Sequence, residues 1–179
     1  VVHAAMAPHA RARGHAAALA GYGARRPRDE DIALRVHHAE AAGLAADAAA
    51  LAPAAARRAA ATGDHREAAR LLALALRGAP ALDDEARAQL LERLSDELTL
   101  VNRHGEAIAA REQALAIHVT RGDLRAQGIA QRALARLCWF EEGAMGRCLR
   151  WAQRSIDSLA ALPPSRELAL SYSTMAHLR

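Results

Sequence analysis

Alanine supplies 49 of the 179 residues and leucine another 24, whereas Val, Ile, Thr, Phe, Tyr and Trp together supply only 19. Strands need branched and aromatic side chains to pack a pleated surface, so a β-rich fold is excluded. Ala and Leu lose little rotamer freedom in a helix and stand at the top of the helix-propensity scale. The chain is therefore expected to be all-α, and its length suits one domain or one run of repeats.

All 24 basic residues are Arg. Without Lys there is no Schiff-base amine and no GxxxxGK[ST] nucleotide loop, whose Lys reaches the β and γ phosphates. The formal net charge of +4 and pI near 10.0 come from Arg spread along the chain, not gathered in a block. Direct binding of nucleic acid by this segment is therefore not expected. Cys138 and Cys148 are the only cysteines and lack CxxC spacing, which favours a reducing, cytoplasmic setting over a disulfide framework or zinc site. They fall on small-residue positions of paired helices. No apolar run approaches the ~20 residues that cross a bilayer. His37, His38 and Glu40 do not suggest a metal site, because adjacent helical side chains diverge by about 100° and no HExxH pattern follows. Gly21-Tyr22-Gly23 lacks a preceding strand and the third glycine of a dinucleotide fingerprint. With no GxSxG and no paired catalytic carboxylates, no catalytic, cofactor-binding or metal residues are assigned, and an enzyme is not expected.

Residues 1–28 form a poorly defined Ala, Arg and His mixture broken by Gly14, Gly21 and Gly23. Asp29, Glu30 and Asp31 then suit a helix N-terminus, and one helix is expected over about 30–42. Leu44 to Thr62 is nearly all Ala, with Pro53 marking a kink or the start of a new helix. Beyond it, breaks at Gly63-Asp64, Gly78-Ala79-Pro80, Asp83-Asp84, Gly105, Gly122-Asp123, Gly143 and Pro163-Pro164 separate helix-like pieces of similar length. That regularity points to repeats. Tetratricopeptide-like units want a small residue at position 8 of the first helix and at positions 20 and 27 of the second, where helices cross closely. Position 8 falls on Ala56, Ser95, Ala135 and Ala176, with second helices carrying Ala68, Leu72 and Ala75, then Ala107 and Ala114, then Cys148, Ala152 and Ser155. The expected fold over 29–179 is a tetratricopeptide-like α-α superhelix of antiparallel helix pairs, in repeats of about 40 residues. The chain starts with Val1 and ends within a helical pattern, as a piece cut after the first helix of its last unit would. That last helix should expose Leu168, Leu170, Met175 and Leu178, and fray or self-associate there.

Several stretches are also informative as words. These are His37-His38-Ala39-Glu40-Ala41-Ala42-Gly43, Ala52-Pro53-Ala54-Ala55-Ala56-Arg57-Arg58-Ala59-Ala60, His65-Arg66-Glu67-Ala68-Ala69-Arg70, and those over 107–116, 134–140 and 162–178. In this order and spacing, over about 30–179, they resemble the helical region of the large ATP-binding LuxR-type transcriptional regulators, the MalT-like group of actinobacteria. The resemblance implies a non-catalytic scaffold and signal-sensing segment that receives a protein partner or small-molecule inducer. It places ATP only in a separate upstream domain, with a helix-turn-helix downstream, and makes residues 1–28 the end of a winged-helix-like region. An alternative is a generic tetratricopeptide adaptor unrelated to transcription.

Position 9 of each first helix normally faces the concave side, with positions 2, 5 and 12 beside it. Here that face carries Arg57, Glu92, Asp96, Arg132, Arg136, Trp139, Ser173 and His177. Such a groove could hold a peptide or polar ligand through bidentate Arg contacts and stacking. Alternatively, Glu92 and Asp96 simply pair with Arg132 and Arg136 on the neighbouring helix. Trp139, Phe140 and Trp151, three of only five aromatics, are expected in the core.

Overall fold

A computed structural model describes residues 7–23, 31–78, 82–141 and 143–179. Among the described residues every regular element is helical: α1 (Pro8–Gly23), α2 (Ile32–Ala41), α3 (Ala45–Ala61), α4 (His65–Gly78), α5 (Asp84–Leu100), α6 (His104–Thr120), α7 (Leu124–Leu137), a 3-10 turn (Cys138–Phe140), α8 (Met145–Ala160) and α9 (Arg166–His177). Contacts divide the chain into two compact units, Val1–Ala81 and Leu82–Arg179. Each unit is built of helices packed on their sequence neighbours.

In the first unit α1 packs on α2, α2 on α3 and α3 on α4. The α3 helix runs unbroken through Pro53, so no new helix starts there. Its stripe of Ala48, Ala49, Ala52, Ala55 and Ala56 is buried against α4, which buries Ala68, Ala69, Leu71, Leu72 and Ala75. Small side chains let the two backbones approach closely. A Cβ added to Gly78 would lie 2.6 Å from Ala49 Cβ. Pro80, the expected break after α4, lies outside the described residues.

In the second unit the pairs α5/α6 and α7/α8 pack antiparallel fashion through short turns, and α9 rests on α8 and α7. Three recurring devices set the helix boundaries within both units. Asp64, Asp83 and Asp123 each accept a hydrogen bond from the backbone N–H three residues on, at 3.1, 2.7 and 3.0 Å, and Ser165 does so through its hydroxyl at 3.2 Å. Such caps satisfy an otherwise orphaned N–H of the first turn. At the preceding C-termini a left-handed residue reverses the chain: Gly122 at φ 68° after α6 and Asn102 at φ 60° after α5. Arg103 N–H then donates to Leu98 O and Asp123 N–H to His118 O, the six-to-one bond of a helix stop. The α5/α6 break is therefore Val101-Asn102-Arg103, and Gly105 sits inside the first turn of α6. Asn tolerates the left-handed region better than most residues, so the stop is made without glycine.

The small positions expected from repeat spacing are closed. Ala56, Ser95 and Ala135 are fully buried, as are Ala68, Ala107, Ala114, Cys148, Ala152 and Ser155 to within 1%. The last helix departs from expectation. Ala176 is exposed, and the small buried residue of α9 is Ser171, whose hydroxyl lies 2.8 Å from that of Ser155 on α8. Ser171, Met175 and Leu178 form one i, i+4, i+7 stripe turned inward, so Met175 and Leu178 are not the exposed face; Leu170 and Tyr172 are. Trp139 and Phe140 are also corrected: both are more than half exposed on the turn after α7, beyond the helix stripe that would bury them. Cys138 and Cys148 are free and buried, and burial pushes the Cys138 thiol up from its ordinary value.

Candidate functional site

The candidate site belongs to the second unit. The inner edges of α5, α6, α7, the 3-10 turn and α9 line an open groove of about 810 Å³. That volume lies within the usual range for ligand sites. Of the residues expected on a concave face, Asp96, Arg132, Arg136, Trp139, Ser173 and His177 all line it. Glu92 lies one turn from Asp96 on α5 and is not a lining residue. Arg57 is exposed on α3 of the first unit and does not line this cavity.

Asp96 and Glu92 do not pair with Arg132 and Arg136. Their partner is Arg111 of α6, a guanidinium with only 5% of its side chain exposed. Arg111 Nη2 donates to Asp96 Oδ1 at 2.5 Å and to the Glu92 carbonyl at 3.0 Å, its Nη1 lies 3.5 Å from Glu92 Oε1, and its Nε points to Ser95 Oγ at 3.4 Å. Glu92 Oε1 also meets His118 Nε2 at 3.2 Å. Buried on the same stripe as Ala107, Ala110, Ala114 and Leu115, Arg111 is a cation set into the α5/α6 interface and balanced from α5. Desolvation by the groove walls raises the Asp96 carboxyl above its ordinary value, and the Arg111 guanidinium opposes part of that push.

Arg132 and Arg136 are thereby left on α7, one helical turn apart, with no carboxylate within ion-pair distance among the described residues. Burial pushes the Arg132 guanidinium below its ordinary value, and repulsion from Arg136 and Arg111 adds to it. Trp139 and Phe140 stand at the rim, and Phe140 stacks on His104 at 4.1 Å between ring centroids with the planes 3° apart. Leu100, Leu137, Leu170 and Leu178 supply apolar wall. On α9, His177 Nδ1 lies 2.7 Å from the Ser173 carbonyl, so Nδ1 carries the proton of the neutral ring and Nε2 is the nitrogen free for a ligand. Ion pairing of Arg125 with Glu167 at 3.0 Å fastens the start of α9 to α7. Among the described residues no group of three or more His, Cys, Asp or Glu side chains is arranged to hold a metal. No helix among them is long and apolar enough to cross a membrane.

Sequence spacing missed Arg111, Thr99, Leu100 and Phe140 as lining residues. For Arg111 a signal was present: it is a charge at the i+4 position of an otherwise Ala and Leu stripe, where only a partnered cation can sit.

The sequence matches no protein-family profile, and no curated protein resembles it. Solved structures do. One is a protein described as a kinesin light chain with nearly identical tetratricopeptide-like repeats from Podospora anserina, at a TM-score of 0.63 and 18% identity over 97% of this chain and 87% of that one. Another is BtubC (BKLC) from P. vanneervenii, at 0.60 and 17% identity over 97% of this chain and 66% of that one. At these identities the likeness speaks for architecture alone, and with the burial pattern above it establishes an all-α, tetratricopeptide-like fold of repeated helix pairs.

Proposed function

We propose that the α5–α9 cavity is the docking face of a non-catalytic helical-repeat scaffold that holds a partner protein through a linear segment. The observation that carries this reading is the pairing of an apolar, concave wall with two guanidiniums that have no carboxylate partner among the described residues. Peptides seat well in such grooves when a few placed polar groups fix their register. The test is selection of peptides from a random display library on the full chain. Selected peptides are expected to lose roughly tenfold or more in affinity on Trp139→Ala, since anchor aromatics carry much of such binding. Peptides that bind Trp139→Ala and Arg136→Ala as well as the parent chain would sink the reading.

A finer reading, the sensing segment of an ATP-dependent LuxR-type regulator in the cytoplasm, is supported by the shared sequence words of 37–70 and 107–178 alone. In that reading a small-molecule inducer is a second class of occupant. The generic adaptor reading draws instead on the repeat architecture. The open reading frame around this segment decides between them: a GxxxxGK[ST] loop upstream and a helix-turn-helix downstream support the regulator, and stop codons close to both ends exclude it.

A further inference from the structure

We propose that the groove selects an acidic segment, one that sets carboxylates on Arg132 and Arg136 and an apolar side chain between them against the wall of Leu137, Leu178 and Trp139. This rests on the reading of the cavity as a docking face and adds the chemistry of its occupant. The lining holds three guanidiniums, Arg111, Arg132 and Arg136, against one carboxylate, Asp96. That carboxylate is already engaged by Arg111 at 2.5 Å, and Glu92 completes the balance of Arg111 from behind. The positive excess therefore resides on α7.

Arg132 and Arg136 are spaced i and i+4, so their stems leave one face of α7 about 6 Å apart. Arg132 is half-buried and Arg136 exposed, which places one guanidinium inside the groove and one at its mouth. Two cations one turn apart repel each other, most at the half-buried Arg132, and an anion brought from outside relieves that repulsion. Guanidinium forks match carboxylates bidentately. The apolar wall around them favours a segment whose acidic residues flank a hydrophobic one over a purely charged polymer. Asp96 gives the groove a polarity: carboxylates of the segment belong on the α7 side, and hydroxyl or cationic side chains on the α5 side.

The experiment is composition analysis of the display selection, followed by anisotropy titration of a fluorescein-labelled peptide of alternating Glu and Leu and of its Gln-for-Glu counterpart. Expected are selected peptides enriched in Asp and Glu, and a Glu peptide that binds roughly tenfold or more tightly than the Gln peptide. Arg136→Gln and Arg132→Gln should each erase most of that preference. The Gln peptide leaves the protein untouched, so the comparison stands even where Arg132→Gln lowers the melting temperature. Peptides that depend on Trp139 but show no acidic preference would overturn this inference while leaving the docking face in place. A selection with no groove-dependent binder would overturn both. A single-stranded oligonucleotide that displaces the Glu peptide, with affinity falling steeply in salt, would also overturn it in favour of a phosphate polymer.

Discussion

Arg111 shows how one residue can decide what a site offers. By satisfying Asp96 and Glu92 from within the α5/α6 interface, it removes the carboxylates that would otherwise neutralise α7. Arg111→Ala is expected to lower stability by about 2–4 kcal/mol in urea unfolding, because it leaves buried polar partners and a cavity. Arg111→Met, which keeps volume, should recover part of the loss. Arg136, exposed and with no carboxylate partner among the described residues, should behave in the opposite way: Arg136→Ala weakens acidic-peptide binding with a melting temperature nearly unchanged. At Gly128 the limit is steric. An added Cβ would lie 2.4 Å from Leu159 Cγ, and the Gly128 carbonyl accepts from Ser155 Oγ at 2.6 Å. Gly128→Ala should gain about 1 kcal/mol of helix propensity and lose about 1–3 kcal/mol to overpacking. A net loss that Leu159→Ala relieves in a double-mutant cycle would identify that contact. The spacing of position 8 along the chain makes Ala56, Ser95 and Ala135 legible in advance, since each lies among small residues at helical period. Ser171 is not, because only a neighbouring helix determines which turn faces inward, and Arg111 is legible only as a charge set in an apolar stripe, without its partners.

Among the elements, α1 is the one whose attachment is most chemical. It buries no residue fully, and its hold on α2 centres on His15 Nδ1 facing His38 Nδ1 at 2.8 Å, with His37 at 5.6 Å from both rings by centroid and Tyr22 at 5.9 Å from His38. A contact between two ring nitrogens needs one proton, not two. Burial, then the charges of His15 and His37, holds His38 below its ordinary value of 6.5. The sign follows from linkage: released α1 and α2 take up a proton more readily than the packed pair, so attachment is fully present above about pH 6.5 and weakens as pH falls through it. Amide exchange over 8–23 is expected to speed up between about pH 8 and about pH 5.5 beyond its intrinsic pH dependence. The excess should disappear in His15→Phe, and equal protection at both values in the parent chain would exclude the effect. The extents of α2 and α4 are legible from propensity and breakers, whereas α1 and the unbroken course of α3 through Pro53 are not. The exception after α5 is instructive: a glycine was sought where Asn102 takes the left-handed turn.

At the scale of the whole molecule, stability is summed from contacts between neighbouring helices, so protection should be uneven. Slowest amide exchange is expected in α3, α4 and α5–α8, where both faces of the small-residue seams are closed, and fastest in α1. Uniform protection over all nine described helices would mean a single cooperative core instead.

Composition and spacing by themselves determined that the chain is helical, that its helices pair through small residues, and which faces of α3, α5 and α7 close on their second helices. These are local and periodic properties, written in propensities and in the 3.6-residue turn. Tertiary structure decided the rest. It set the inward turn of α9, lifted Trp139 and Phe140 out of the core, and assigned Asp96 to Arg111 instead of to α7. Charge pairing and burial depend on which helix stands opposite, and that relation is fixed only when the helices pack.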